Sequence, residues 1–188
     1  MSGPAPFSQD ILPPGVRARF VPNGNGLSMH VLEAGAPGQP LVLLLHGFPE
    51  IAYSWREIIG PLAAEGYHVV APDQRGYGRT TGWSAGYDES LEPFAPLNLV
   101  RDITGLVGAL GYDQAAAVIG HDYGSPVAAF CALVRPDVFR SVVLMSAPFG
   151  GPGPLRKAQD ATKGMADGLS DPDLLASMEK LDRPRKHY

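Results

Sequence analysis

Asp122 is the side chain of this sequence best placed to carry out chemistry. It lies in the middle of the sequence GHDYG, at 120–124, between an apolar segment, 115–119, and a segment with helical spacing of apolar residues, 125–133. A strand, a tight turn and a helix in this order lift the middle side chain into the open, and flanking glycines permit the close backbone approach. A carboxylate in this place can attack a carbon atom and form an ester with its substrate. The alternative role for Asp122 is that of an N-cap for the following helix.

A second loop that could take part in a reaction follows another apolar segment. The sequence HGFP, at 46–49, comes directly after the continuously apolar residues 41–45. A strand of this kind is typical of a sheet that is covered on both faces. Ligands of such sheets bind at the carboxyl ends of the strands. We therefore expect residues 46–49 and Asp122 to lie at the same edge of one sheet.

The elements that must position these two loops alternate along the chain. Two strands, 16–21 and 27–32, flank the sequence NGNG at 23–26, which predicts a hairpin. The apolar patterns beyond it predict strands at 41–45, 69–71, 115–119 and 141–145, and helices at 54–65, interrupted by Pro61, at 99–110 and after Asp122. This order predicts an α/β fold: a mostly parallel sheet with helices on both faces and an N-terminal antiparallel hairpin.

The composition is that of an ordinary globular domain, with 188 residues, 45% of them hydrophobic, and a net charge of −4. This charge leaves no basic footprint for nucleic acid or for an anionic membrane. No apolar run is long enough for a membrane helix, and the first ten residues lack the pattern of a secretory signal. A single cysteine, Cys131, cannot form an internal disulfide and fits a reducing compartment. We therefore expect a cytoplasmic protein.

Three motifs occur together, in a fixed order and spacing: HGFP at 46–49, PDQRGYGR at 72–79 and GHDYGS at 120–125. With them the sequence resembles the α/β-hydrolase fold family over nearly its whole length. Within that family it resembles the branch shared by epoxide hydrolases and haloalkane dehalogenases, whose nucleophile is an aspartate. The resemblance implies that Asp122 is the nucleophile and that the backbone N–H groups of Phe48 and Tyr123 form the oxyanion hole.

The resemblance also implies supporting roles for other residues of these motifs. His46 is usually a structural histidine in this family, hydrogen-bonded below the site, and Pro49 helps to fix the turn. Gly47 and His121 belong to the same two loops and support the site. Trp55 is either a wall or donor of the pocket or a core residue, the latter being the commoner fate of an indole.

The leaving group separates the two chemistries of this branch. Dehalogenases commonly place a tryptophan beside the nucleophile and an Asn or Trp after the His-Gly pair, positions held here by Tyr123 and Phe48. Neither side chain offers an N–H to a halide, so epoxide opening is favoured, in which tyrosines of a cap domain donate to the ring oxygen. Residues 1–14 are rich in Pro, Gly and Ser and are expected to form an irregular arm. The resemblance divides the rest of the chain into the N-terminal part of the hydrolase core, 15–149, and a linker with the start of the cap, 150–188. Tyr188 is the candidate cap donor.

Two glycine-rich stretches suggest other chemistries. The first, 73–78, lacks the Lys-Ser/Thr pair of a phosphate-binding loop and the full G-x-G-x-x-G spacing. The second, GWSAG at 82–86, matches the G-x-S-x-G pattern of serine esterases, but no apolar strand precedes it and no helical pattern follows. Both are therefore interpreted as loops.

Epoxide hydrolases of this fold also need a histidine that activates water and an acid that orients it, both supplied after the cap. None of the histidines at 30, 68, 121 and 187 occupies that position. We therefore expect a C-terminally truncated, epoxide hydrolase-like chain that forms an alkyl-enzyme ester without turnover and uses no cofactor and no metal. Its expected partner is a small apolar epoxide or haloalkane. A haloalkane dehalogenase and a catalytically inactive fragment or interaction module are the alternatives, and the oligomeric state is open.

Overall fold

A computed structural model describes residues 3–84, 86 and 88–147. These residues belong to the first of two units into which the chain divides, Met1–Phe149. The second unit, Gly150–Tyr188, lies outside the described residues, and with it lie the expected linker, the start of the cap and the candidate donor Tyr188.

The chain opens with the expected antiparallel hairpin. Strand β1 (Arg17–Pro22) pairs with strand β2 (Ser28–Ala34), and Pro22 lies opposite Ser28. The turn between them is closed by Asn23, whose side-chain oxygen accepts the backbone N–H groups of Asn25 at 2.9 Å and Leu27 at 3.1 Å. An asparagine that bonds the backbone two residues ahead is a common way to stabilise such a turn.

Within the described residues the sheet has six strands. The four after the hairpin are β3 (Leu41–Leu45), β4 (His68–Pro72), β5 (Ala117–His121) and β6 (Val142–Met145). Their order is β1-β2-β4-β3-β5-β6, with β4, β3, β5 and β6 parallel and β2 antiparallel to β4. Every residue of β3 and β4 is buried, and the apolar segments 41–45 and 69–71 predict this for all of β3 and for the middle of β4.

Helices cover both faces of this sheet. They are α1 (Arg56–Ala64), α2 (Pro96–Ala109) and α3 (Gly124–Val134). Side chains of a strand alternate between its faces, and β3 follows this rule. Leu41, Leu43 and Leu45 join the apolar cluster formed with α2 and α3, whereas Val42 and Leu44 join the cluster formed with α1. The fold class expected from the sequence is therefore confirmed.

Helix α1 departs from the expectation in one respect. The sequence predicts a helix interrupted by Pro61, but a 3-10 turn, Ala52–Trp55, leads directly into α1, which continues through Pro61. Proline removes the N–H that would bond the carbonyl of Glu57. Both Pro61 and Glu57 are exposed, so water can bond that carbonyl in place of the missing N–H.

Three loops leave the carboxyl ends of neighbouring parallel strands at one edge of the sheet. They begin at His46, Asp73 and Asp122, which directly follow β3, β4 and β5. Because β4, β3 and β5 are adjacent, the three loops lie side by side. The longest described helix, α2, has 14 residues, and no described helix has the length and apolar character needed to cross a bilayer.

Candidate active site

Asp122 sits on a sharp turn between β5 and α3. Its φ angle is +49°, in the left-handed region that residues with a Cβ atom rarely adopt. The turn is tight because two glycines let the backbones meet: a Cβ atom on Gly120 would collide with the carbonyl of Gly124, and one on Gly124 with the carbonyl of Leu45. This geometry leaves Asp122 partly exposed at the edge of the sheet, as in a nucleophile elbow.

The carboxylate of Asp122 accepts hydrogen bonds from backbone amides. The N–H of Phe48 donates to Oδ1 over 2.9 Å, and the N–H of Tyr123 also donates to the carboxylate. These bonds hold the pKa of Asp122 below its ordinary value, with the Phe48 amide as the largest cause, and the nearby His121 acts in the same direction. The N-cap of α3 is Tyr123, and the two amides that bind the Asp122 carboxylate, those of Phe48 and Tyr123, both lie outside α3. These contacts do not support the alternative role of Asp122 as a helix cap.

The loop after β3 approaches Asp122 at Gly47. A Cβ atom at this position would lie 2.5 Å from the Cβ atom of Asp122, so only glycine fits. The next two residues are joined by a cis peptide bond, Phe48-Pro49, and Glu50 closes the turn by donating its N–H to the carbonyl of Gly47 over 3.0 Å. The side chain of Phe48 is 67% exposed, so its amide, not its ring, contacts Asp122.

His46 is fully buried at the start of this loop. Its Nδ1 lies 2.9 Å from the carbonyl of Gly47, and its Nε2 accepts the backbone N–H of Gln74 over 3.1 Å. Burial lowers the pKa of His46, and a ring nitrogen that accepts an N–H bond carries no proton. Both ring nitrogens are therefore engaged with the backbone, in keeping with the structural position that the resemblance implies for His46.

His121 contacts a carboxylate that the sequence analysis did not single out. Its Nδ1 lies 3.2 Å from Oε2 of Glu50, and the same oxygen accepts the N–H of Gly47 over 3.4 Å. Both side chains are about one third exposed. Glu50 thus joins the loop after β3 to the residue that precedes Asp122. In the sequence, the only signal for this role of Glu50 was its position directly after the HGFP motif.

The two aromatic side chains considered for the pocket differ in their surroundings. Trp55 is 8% exposed and packs in the apolar cluster with Leu44 and Ile59, so it is a core residue. Its Nε1 has no hydrogen-bond partner among the described residues. Tyr123 is exposed next to Asp122, and partial burial of its phenol raises its pKa.

Ser125 was also missed by the sequence analysis. It is fully buried in the first turn of α3, and its Oγ lies 2.7 Å from the carbonyl of Gly120 and 2.8 Å from that of Met145. The same oxygen accepts the N–H of Met145 over 3.1 Å. One hydroxyl therefore joins the turn at Asp122 to the ends of β5 and β6. Its position just after GHDYG carried no signal of this role.

The remaining candidates do not join the site. His68 lies at the opposite end of the sheet, where its ring contacts Glu33 and Tyr112. Residues 82–84 and 86 form a loop, as interpreted, while Ala85 is outside the described residues. Within the described ranges, no group of three or more His, Cys, Asp and Glu side chains is arranged to hold a metal ion.

This geometry agrees with a comparison with known families. A family described as the alpha/beta hydrolase fold matches residues 40–169, more than half of the chain. The chain belongs to the α/β-hydrolase fold family. The turn bearing Asp122 and the loop bearing Phe48 both lie within the matched α/β-hydrolase segment.

Among the relatives of this α/β-hydrolase chain are epoxide hydrolases. Epoxide hydrolase A of Mycobacterium tuberculosis is 44% identical over 124 residues, which are 66% of this chain and 37% of that protein. The epoxide hydrolase of Caballeronia sordidicola is 46% identical over 125 residues, 66% of this chain and 36% of that protein. The chain thus spans well under half the length of these curated relatives.

Solved structures of epoxide hydrolases share the fold. Epoxide hydrolase A from Mycobacterium thermoresistibile superimposes with a TM-score of 0.69 at 42% identity, covering 80% of this chain and 45% of that chain. An epoxide hydrolase from an endophytic Streptomyces gives a TM-score of 0.70 at 44% identity, covering 82% and 43%. The likeness to epoxide hydrolases expected from the three motifs is therefore confirmed.

Proposed function

We propose that this chain carries the nucleophilic part of an epoxide hydrolase and that Asp122 is the nucleophile. The observation that carries the proposal is the partly exposed carboxylate of Asp122, held at Oδ1 by the Phe48 amide on the turn between β5 and α3. A lowered pKa keeps this carboxylate ionised at neutral pH, which is the form that attacks carbon. The epoxide hydrolases among the relatives support the substrate class.

In the first step, a carboxylate oxygen of Asp122 attacks one carbon of the epoxide ring. We assign the attack to Oδ2, because the Phe48 amide engages Oδ1. The new C–O bond forms the ester as the ring C–O bond breaks, and the ring oxygen leaves as an alkoxide that takes a proton from a donor. A tyrosine hydroxyl suits this donation, and Tyr188, outside the described residues, is the candidate that the sequence offers.

In the second step, water attacks the carbonyl carbon of the ester. The resulting tetrahedral intermediate carries a negative oxygen, and collapse releases the diol and regenerates the carboxylate of Asp122. We expect the N–H groups of Phe48 and Tyr123, which already donate to the carboxylate, to stabilise that oxygen. The same two donors thus serve both steps.

We propose further that these 188 residues by themselves stop at the ester. Activation of water requires a base, usually a histidine, within reach of the ester. Three of the four described histidines, at 30, 46 and 68, are fully buried and have both ring nitrogens engaged. The fourth, His121, directly precedes Asp122 and contacts Glu50.

Intact-protein mass spectrometry after incubation with styrene oxide tests both proposals. We expect one equivalent of adduct on the wild-type chain and no steady-state formation of diol. Asp122→Ala should give no adduct, whereas Asp113→Asn, a matched control at an exposed carboxylate in a loop, should be modified like the wild type. An adduct that still forms in Asp122→Ala would overturn the assignment of Asp122 as the nucleophile.

The same assay distinguishes the proposed function from its alternatives. Sustained diol formation would overturn the proposal that the chain stops at the ester. Release of halide from a bromoalkane, faster than alkylation by the epoxide, would favour a haloalkane dehalogenase. A chain that forms no adduct with either reagent would favour an inactive fragment or an interaction module.

A further inference from the structure

His30 and Asp73 form a buried pair that the proposed reaction does not use. Both side chains are fully buried, and His30 Nδ1 lies 2.9 Å from Asp73 Oδ2. The backbone N–H of Phe7 donates to the other ring nitrogen, Nε2, over 3.4 Å. Because a ring nitrogen that accepts a hydrogen bond carries no proton, the proton of a neutral His30 lies on Nδ1 and is donated to Asp73.

The carboxylate of Asp73 also collects donors from two loops. The N–H of Ala52 donates to Oδ1 over 2.8 Å, and the N–H of Arg79 donates to Oδ2 over 2.9 Å. Burial raises the pKa of Asp73, but the hydrogen bonds from His30 and from these two amides outweigh it, and the net pKa is lowered. Asp73 therefore stays ionised and joins β2 to the loops after β3 and β4.

The loop that carries the Phe48 amide is held at both ends by two consecutive residues. At its start, Gln74 donates its backbone N–H to His46 Nε2 over 3.1 Å and its side-chain N–H to the His46 carbonyl over 2.6 Å. At its end, Asp73 accepts the N–H of Ala52. A displacement of the Asp73 carboxylate would therefore move the loop that presents the Phe48 amide.

The N-terminal arm packs on the same pair. The rings of Phe7 and His30 meet edge to face with centroids 5.1 Å apart, and the guanidinium of Arg79 lies 3.7 Å above the ring of Phe7. Arg79 Nε also donates to the carbonyl of Ala5 over 3.1 Å. The arm thus contacts both His30 and the residue whose amide binds Asp73.

We propose that Phe7, His30 and Asp73 are positioning residues of the Asp122 site. The amide of Phe7 fixes the tautomer of His30, His30 orients the carboxylate of Asp73, and Asp73 holds the loop that presents the Phe48 amide to Asp122. The hydrogen-bond relay does not depend on whether Asp122 is the nucleophile. Only its effect on alkylation rests on the proposed function.

Two variants of the arm test the relay without altering the buried pair. Phe7→Ala keeps the backbone N–H, whereas Phe7→Pro removes it. In the full chain labelled with ¹⁵N, His30 should be the Nδ1–H tautomer in the wild type and in Phe7→Ala, and a mixture of tautomers in Phe7→Pro. Amide exchange at Phe48 and Ala52 should be about tenfold faster in Phe7→Pro than in Phe7→Ala. A tenfold change corresponds to the free energy of about one hydrogen bond. Equal tautomers and equal exchange in the two variants would overturn the proposal.

A second pair of variants links the relay to reactivity. Asparagine at position 30 carries its side-chain N–H close to the place of Nδ1 and can donate to Asp73, whereas glutamine carries it farther out. Alkylation of Asp122 by styrene oxide should be about tenfold slower in His30→Gln and within about threefold of the wild type in His30→Asn. Equal rates in the two variants would contradict the relay. If the wild-type chain is not alkylated, the proposed function fails, and the exchange comparison of the Phe7 variants still decides the relay.

Discussion

Glu33 and Asp122 are carboxylates at opposite ends of the same sheet, and their partners differ in kind. Glu33 is buried and binds three side chains that are or can become cationic: His68 at 3.0 Å, Arg17 at 2.9 Å and Arg19 at 2.7 Å. Burial raises the pKa of Glu33, but the bond from His68 and the two arginines outweigh it and lower the pKa to about 2. Asp122 is partly exposed, and the hydrogen bonds described for its carboxylate all come from backbone amides.

The difference indicates how one fold can keep one carboxylate inert and leave another available for the reaction that we propose. Cationic partners neutralise the charge of Glu33 and occupy its oxygens, so that it can stabilise the fold but cannot attack a substrate. Backbone amides lower the pKa of Asp122 without a counter-charge and leave it accessible. We therefore expect changes at Asp122 to affect reactivity and changes at Glu33 to affect stability.

The largest effect is expected from Asp122→Asn. Loss of the anionic oxygen should abolish alkylation by styrene oxide, measured by intact mass. Asparagine tolerates positive φ angles as well as aspartate does, so the free energy of unfolding in urea should stay within about 0.5 kcal/mol of the wild type. A large loss of stability would show that the turn depends on the carboxylate, and the contrast with Glu33 would fail.

The opposite result is expected at the other end of the sheet. Glu33→Ala should lower the free energy of unfolding by about 2 kcal/mol, because His68 loses a buried partner while the half-exposed arginines are rehydrated. The rate of alkylation per folded molecule should not change. Glu57→Ala, which removes an exposed ion pair with Arg56, is the control and should cost less than about 0.5 kcal/mol. A slower alkylation rate in Glu33→Ala would contradict the conclusion that Glu33 affects stability alone.

A smaller effect is expected from acid. The pKa of Glu33 falls from 4.5 to about 2 on folding, so its ionised form stabilises the folded state fully above pH 4.5. That contribution is lost as the pH falls from 4.5 towards about 2. The difference in unfolding free energy between the wild type and Glu33→Gln should therefore shrink over this window, as measured by urea titrations at successive pH values. A difference that stays constant across the window would contradict the assignment.

The smallest effect is expected in the pH dependence of alkylation. Because the pKa of Asp122 lies below its ordinary value of 3.8, its carboxylate stays ionised at neutral and mildly acidic pH. The rate of adduct formation should vary by less than about twofold between pH 7 and pH 5. A decline with a midpoint inside this range would show that the amides of Phe48 and Tyr123 do not control the ionisation of Asp122.

The sequence predicted the elements and the turn because both leave local signals. Residues 41–45 are continuously apolar, and β3 has these bounds in the structure. The segment 115–119 is displaced by two residues from β5 because the strand extends to His121, directly before Asp122. The glycines at 120 and 124 carried the signal of the turn, since the close approach there admits no side chain. The role of Asp122 came from its place in this turn and from the resemblance, whereas the roles of Phe48 and Tyr123 came from the resemblance alone. All three stay predictions.

The polar pairs around the site could not be read from the sequence. His30 and Asp73 are 43 residues apart, and His121 and Glu50 are 71 residues apart. Their contacts depend on the register between strands and on which loops meet at the edge of the sheet, and neither leaves a periodic pattern. Ser125 escaped notice for the same reason, because it acts on the carbonyls of two strands that converge only in the folded chain.

The positive φ of Asp122 has a consequence for how this protein would lose the reactivity that we propose. An L-residue held in that conformation stores on the order of 1 kcal/mol that relaxes when its surroundings loosen. A modest loosening of the junction between β5 and α3 would let the backbone relax and withdraw the carboxylate while the rest of the molecule stays folded. Heating should therefore inactivate the protein before it melts.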